Sequence, residues 1–119
     1  MKYVLMFAGT SDEQDQWDKL TSEQLSTAYE QVNKWFEDNS KAGRIVGGAE
    51  LRGPSTATTV HHKNGKVTIT DGPFIEAKEV IGGFAVVEVK DLDEALDMAK
   101  TWPGGSMVEV RPVVEHPSS

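Results

Sequence analysis

The sequence predicts an α+β domain with a ferredoxin-like split βαβ plan, an antiparallel sheet into which a β-hairpin is inserted. Three observations predict it. Two apolar runs, Tyr3 to Ala8 and Val80 to Val89, have the character of strands buried in a sheet. Two capped segments of helical periodicity begin at Thr21 and Asp91. Between them, Asn64-Gly65 separates two alternating runs, a strong short-range hairpin signal. The order is strand, helix, strand, hairpin, strand, helix, strand.

In the first strand, Met1 to Ala8, Tyr3, Leu5 and Phe7 point one way and Val4, Met6 and Ala8 the other. Gly9 to Lys19 reads as a polar loop carrying Asp12, Glu13, Asp15 and Asp18. Its one large apolar residue, Trp17, is expected as an anchor to the helix or a lid over a pocket. The four acids lack the spacing and central glycine of a calcium loop.

The first helix starts at an N-cap, Thr21, with Gln24 completing a capping box and Leu20 and Leu25 placed as a hydrophobic staple. Leu25, Ala28, Tyr29, Val32, Trp35 and Phe36 form its core face, while Glu30 with Lys34 and Glu37 with Lys41 are spaced as i,i+4 pairs. Gly43 ends it.

Arg44 to Leu51 is a second strand whose Gly47 and Gly48 imply a bend or a close approach of backbone, and Gly53-Pro54 breaks it. Ala57 to His62 and Val67 to Thr70 are the hairpin strands. Asp71 to Glu79 links them to the strand Val80 to Val89. The second helix runs from the Asp91 cap, with Glu94 three residues on, to Pro103-Gly104-Gly105. A strand from Met107 to Val113 closes a single domain, residues 1–113, and residues 114–119 are expected to form a flexible tail.

Composition narrows the function classes. A net charge of −7 with dispersed Lys and Arg leaves no basic patch for nucleic acid. Cysteine is absent, which removes disulfides, thiolate metal sites and a cysteine nucleophile. The apolar start is far shorter than the roughly twenty residues of a membrane span, so no membrane association and a cytoplasmic location are expected. The glycine pairs do not fit phosphate-binding patterns, and no cofactor is expected.

Both helices of such a plan cover one face of the sheet. The other face, drawn from Tyr3 to Ala8 and Val80 to Val89, is then too apolar for a monomer to leave wet. A homodimer through that sheet face is the expected partnership, with a small-molecule ligand as the other.

Asp71-Gly72-Pro73-Phe74, continued by Glu76, Lys78, Glu79 and Gly82-Gly83-Phe84, resembles the signature of the DGPF-type branch of the YCII-related family. Glu109-Val110-Arg111-Pro112 resembles the same branch. The resemblance implies a dimeric α/β-barrel. Members nearer YCII proper carry a His and Asp pair proposed as general acid and base, but the first helix here contains no histidine, so that pair does not transfer intact. A few relatives of the fold eliminate or isomerise small ring-derived acids, most have no assigned reaction, and related domains also occur near or fused to sigma factors.

The candidate site is accordingly a pocket near Asp71. Asp71 is either a turn residue bonded to nearby amides or a general base, with Lys78 as counter-charge. Phe74, Glu76, Glu79 and Tyr29 are candidate substrate-binding residues; Tyr29 is otherwise core, with a polar tip that reaches a ligand if the pocket lies between helix and sheet. His61 and His62 leave opposite faces of their strand and cannot share a metal within one subunit, so no metal site is expected. With a two-residue turn Thr58 faces Asp71, His61 faces Thr68, and His62 sits four residues from Asp71 on the same face, on the order of 13 Å away. His61 remains a catalytic candidate through contact across a dimer or with another strand. The leading expectation is a cofactor-free proton-transfer enzyme of lyase or isomerase type, acting on a small organic acid or ring-derived molecule. The alternative is a non-catalytic ligand-binding or regulatory module, which the sigma-factor association of the resembling domains would suit.

Overall fold

The computed structural model describes residues 1–73 and 79–117. Its elements are β1 (Lys2–Thr10), α1 (Ser11–Asp18), α2 (Ser22–Lys41), β2 (Ile45–Glu50), β3 (Thr58–Lys63), β4 (Lys66–Asp71), β5 (Glu79–Glu88), α3 (Leu92–Lys100) and β6 (Met107–Pro112). Four strands form one antiparallel sheet in the order β2-β5-β1-β6, and β3 with β4 forms a second, two-stranded one. With the hairpin set aside, this is the strand order expected of the split βαβ plan.

Period-two alternation decides which side of the sheet is core. Tyr3, Leu5 and Phe7 of β1 lie opposite Val87, Ala85 and Gly83 of β5, and all six are buried. Trp35 from α2 and Ala95 and Met98 from α3 close over them. The Trp35 indole donates to the carbonyl of Met98 at 3.2 Å and to Thr101 Oγ1 at 3.0 Å, which ties the two helices together. Trp102 stacks on Phe7 with centroids 3.7 Å apart, and Trp35 and Phe36 meet the pair edge-on. On the opposite face Val4, Met6, Phe84 and Val86 are only half-buried.

The helix ends follow the local chemistry. Thr21 Oγ1 accepts from the Gln24 amide at 3.1 Å and Gln24 Oε1 accepts from the Thr21 amide at 3.0 Å, a complete capping box. Asp91 caps α3 through the Glu94 amide at 2.9 Å. Glu37 pairs with Lys41 at 2.9 Å as the spacing suggests, whereas Lys34 pairs with Asp38 rather than Glu30.

One expectation is overturned. The segment read as an acidic loop is largely helix: α1 is capped by Thr10, whose hydroxyl accepts from the Glu13 amide at 3.1 Å, and Asp12 and Glu13 occupy its first turn. Acidic side chains there oppose the positive end of the helix dipole. Trp17 fulfils the anchoring role, meeting the edge of Tyr29 on α2 with centroids 5.4 Å apart.

Gly48 of β2 and Gly83 of β5 serve a close approach of backbone. A Cβ on Gly48 (φ 150°) would collide with the Phe84 carbonyl, and one on Gly83 would lie 2.8 Å from the carbonyl of Ala49. The β2–β5 register also shifts between Ile45 and Gly47, leaving a bulge at Val46. The hairpin pairs as the two-residue turn requires, Thr58 with Asp71 through Lys63 with Lys66, and Asn64 (φ 50°) and Gly65 (φ 78°) make the turn.

Candidate functional site

A cavity of about 680 Å³ opens between the helical layer and the end of the sheet where β1 runs into α1. Its floor is Phe7 with Gly83 of the neighbouring strand, its helical wall is Tyr29 and Phe36 of α2, and α1 adds Glu13 and Trp17. Glu50 and Arg52, at and beyond the end of β2, form the far rim.

The polar centre is one hydrogen bond. The Tyr29 hydroxyl donates to Glu50 Oε2 at 2.7 Å, joining α2 to the end of β2. This bond to the Glu50 carboxylate is the main reason the Tyr29 phenol is held above its usual pKa of 10; burial and the carboxylate's charge push the same way. Tyr29 is therefore a neutral donor at physiological pH and Glu50 an acceptor whose orientation it fixes. The remaining lining charges are unequal: Glu13, Asp18 and Glu50 against Arg52 among the described residues. A mouth of that sign favours neutral or cationic groups over anions. Trp102 also borders the cavity, and its indole N–H is buried with no acceptor among the described residues.

The sequence-predicted residues are divided by this arrangement. Tyr29 lines the cavity. Asp71 does not; it is exposed at the end of β4, across from Thr58. Its carboxylate has no hydrogen-bond partner among the described residues, and the Gly72 amide that a turn aspartate would have engaged donates instead to the Ala57 carbonyl at 2.7 Å. His61 projects from the opposite face of the hairpin and its Nε2 lies 3.2 Å from Thr70 Oγ1. Glu79 is exposed at the start of β5 and is not part of the cavity lining. Phe74, Glu76 and Lys78 lie outside the described residues.

Glu50 and Arg52 escaped the sequence reading, and Glu13 figured there only as one acid of a polar loop. Glu50 carries no local signal, being an acid at the end of a small-residue strand. The available cue was Tyr29, a residue of the mostly apolar α2 face whose hydroxyl needs a polar partner. Among the described residues no group of three or more His, Cys, Asp or Glu is placed to hold a metal ion, and no helix is long and apolar enough to cross a membrane.

Comparison with known proteins reaches nearly the whole chain. The YCII-related domain matches residues 1–117. An uncharacterized protein of Rhizobium meliloti (strain 1021) is 30% identical over 117 residues, covering 95% of this chain and 92% of that protein. The chain belongs to the YCII-related family.

Proposed function

We propose that this protein binds a small, ring-bearing organic molecule in the cavity between α2 and the sheet and moves a proton on it, with Glu50 as base and Tyr29 as the donor that orients it. The observation that carries this reading is the 2.7 Å Tyr29–Glu50 bond at the wall of an aromatic-lined cavity. A carboxylate held by a neutral phenol can take a proton from an acidified C–H and return it to another atom of the same molecule, an isomerisation needing no further reactant. Phe7, Trp17 and Phe36 supply flat apolar surface for a ring. Asp71 and His61 stand outside this reaction centre.

Deuterium incorporation into small cyclic ketones in D2O, followed by proton NMR, tests the proposal. Exchange above the solvent rate that is lost in Glu50→Gln supports it; no exchange, or exchange unchanged in Glu50→Gln, removes Glu50 as the base. Exposure of Glu50 to solvent favours a second reading, a non-catalytic ligand-binding or regulatory module, in which ligands quench tryptophan fluorescence without exchange.

The homodimer belongs to the same proposal. Val4, Met6, Phe84 and Val86 make a half-buried apolar face with no cover of their own, which a second copy would bury. The Asp71-Gly72-Pro73-Phe74 run supports placing the chain in the DGPF-type branch, and the absence of cysteine from the sequence suits a cytoplasmic location.

A further inference from the structure

Register makes the β3–β4 hairpin amphipathic. Val60, Val67 and Ile69 share one face with Thr58, His62 and Asp71; Thr59, His61, Lys63, Lys66, Thr68 and Thr70 share the other. The three aliphatic side chains are 51%, 58% and 68% exposed. An isolated two-stranded ribbon is marginal in water, so an uncovered apolar face on one calls for a cover.

The molecule as a whole is short of cover too. It exposes 8746 Å², whereas a compact 13.0 kDa monomer exposes about 6,300 Å², an excess of about 2,400 Å². Its radius of gyration is 16.4 Å against about 13.5 Å for a compact chain of this length. A standard interface removes only about 800 Å² from each partner, so the excess is ample for one.

Charge indicates which partner. The chain carries −7 overall, yet the hairpin holds Lys63 and Lys66 at its tip and one acid, Asp71, at its foot. α1 holds Asp12, Glu13, Asp15 and Asp18 with no Lys or Arg. Among the described residues no ion pair joins the two elements within the chain. Each copy thus carries both halves of a complementary pair, as a two-fold contact requires.

We propose that the β3–β4 hairpin is an arm that clasps a second copy of this chain, burying the Val60, Val67 and Ile69 face on it and laying the Lys63–Lys66 tip against its acidic α1. The inference rests on the homodimer reading above and adds to it a contact the sheet faces do not make. Truncating the apolar face with the double variant Val60→Ser, Ile69→Ser is expected to raise the dimer dissociation constant about tenfold or more in sedimentation equilibrium. Neither side chain belongs to the four-stranded core, so circular dichroism should stay unchanged.

The cysteine-free sequence permits a direct second measurement. Two differently tagged chains, one carrying Lys66→Cys and the other Asp15→Cys, should cross-link to each other with a short bismaleimide. An unchanged dissociation constant together with no cross-link overturns the clasp while leaving a sheet-face dimer standing. A monomer at all concentrations overturns both. Capture of a different protein by the wild-type arm, with no self-association, likewise overturns it.

Discussion

Tyr29 and Glu50 are 21 positions apart in sequence and 2.7 Å apart in space, and their hydrogen bond links α2 to the end of β2 at the cavity wall. Because the hydroxyl donates only while the phenol is protonated, the bond has an alkaline limit.

The Tyr29 phenol is raised above 10 chiefly by its bond to Glu50. A raised folded-state value means that the pair's stabilisation is full below the unfolded value, near 10, and is lost as pH rises through the folded value. Alkaline titration followed at 295 nm should therefore show one of the two tyrosines ionising late, and Glu50→Gln should return it towards 10. A late phase that survives in Tyr29→Phe would contradict the assignment to the Tyr29–Glu50 pair.

Ligand charge should matter at the cavity mouth. With Glu13, Asp18 and Glu50 facing Arg52, phenol and benzylamine are expected to quench tryptophan fluorescence at lower concentration than benzoate of the same size. Glu50→Gln should narrow the gap between benzylamine and benzoate. Tightest binding by benzoate would contradict the electrostatic account.

Asp71→Asn should leave ligand binding at the cavity unchanged, because Asp71 is exposed at the foot of the hairpin and is not part of the lining. Thermal denaturation with and without ligand measures this, and a ligand-induced shift lost in the variant would bring Asp71 back into the site.

Adjacent glycines in β5 should respond differently to alanine. A Cβ on Gly83 would meet the Ala49 carbonyl at 2.8 Å, while one on Gly82 has nothing within 4 Å. Gly83→Ala is expected to cost about 1–3 kcal/mol in urea denaturation because β2 must shift to admit it. Gly82→Ala should stay within about 0.5 kcal/mol.

The fully buried Leu5 sits at the centre of the helix-facing side of the sheet. Leu5→Ala should lower stability by about 2–5 kcal/mol, read from the urea midpoint. A smaller loss would mean that Trp35 and its aromatic neighbours collapse into the space.

Features fixed by neighbouring residues were legible in the sequence. The Thr21–Gln24 box, the Asp91 cap and the Thr58-to-Asp71 register each depend on fewer than about fifteen consecutive residues, within which turn and cap chemistry act directly. Helix α1 was not legible, because Trp17 is its one large apolar residue and no apolar periodicity marks it; a Thr10 cap and first-turn acids hold it instead. The cavity was half legible. Tyr29 announced a need for a polar partner, but that Glu50 meets it depends on how β2 lies beside α2, and the family motif drew attention to Asp71 at a different place in the fold.

The two margins of the four-stranded sheet are unequal but share one property. The β2 margin is broken by the bulge at Val46 and by Gly48, and the β6 margin carries the Glu109–Arg111 ion pair at 2.8 Å. An irregular margin on one side and a charged one on the other are poor templates for strand addition. Growth into ribbons or fibrils by edge-to-edge pairing is thereby discouraged.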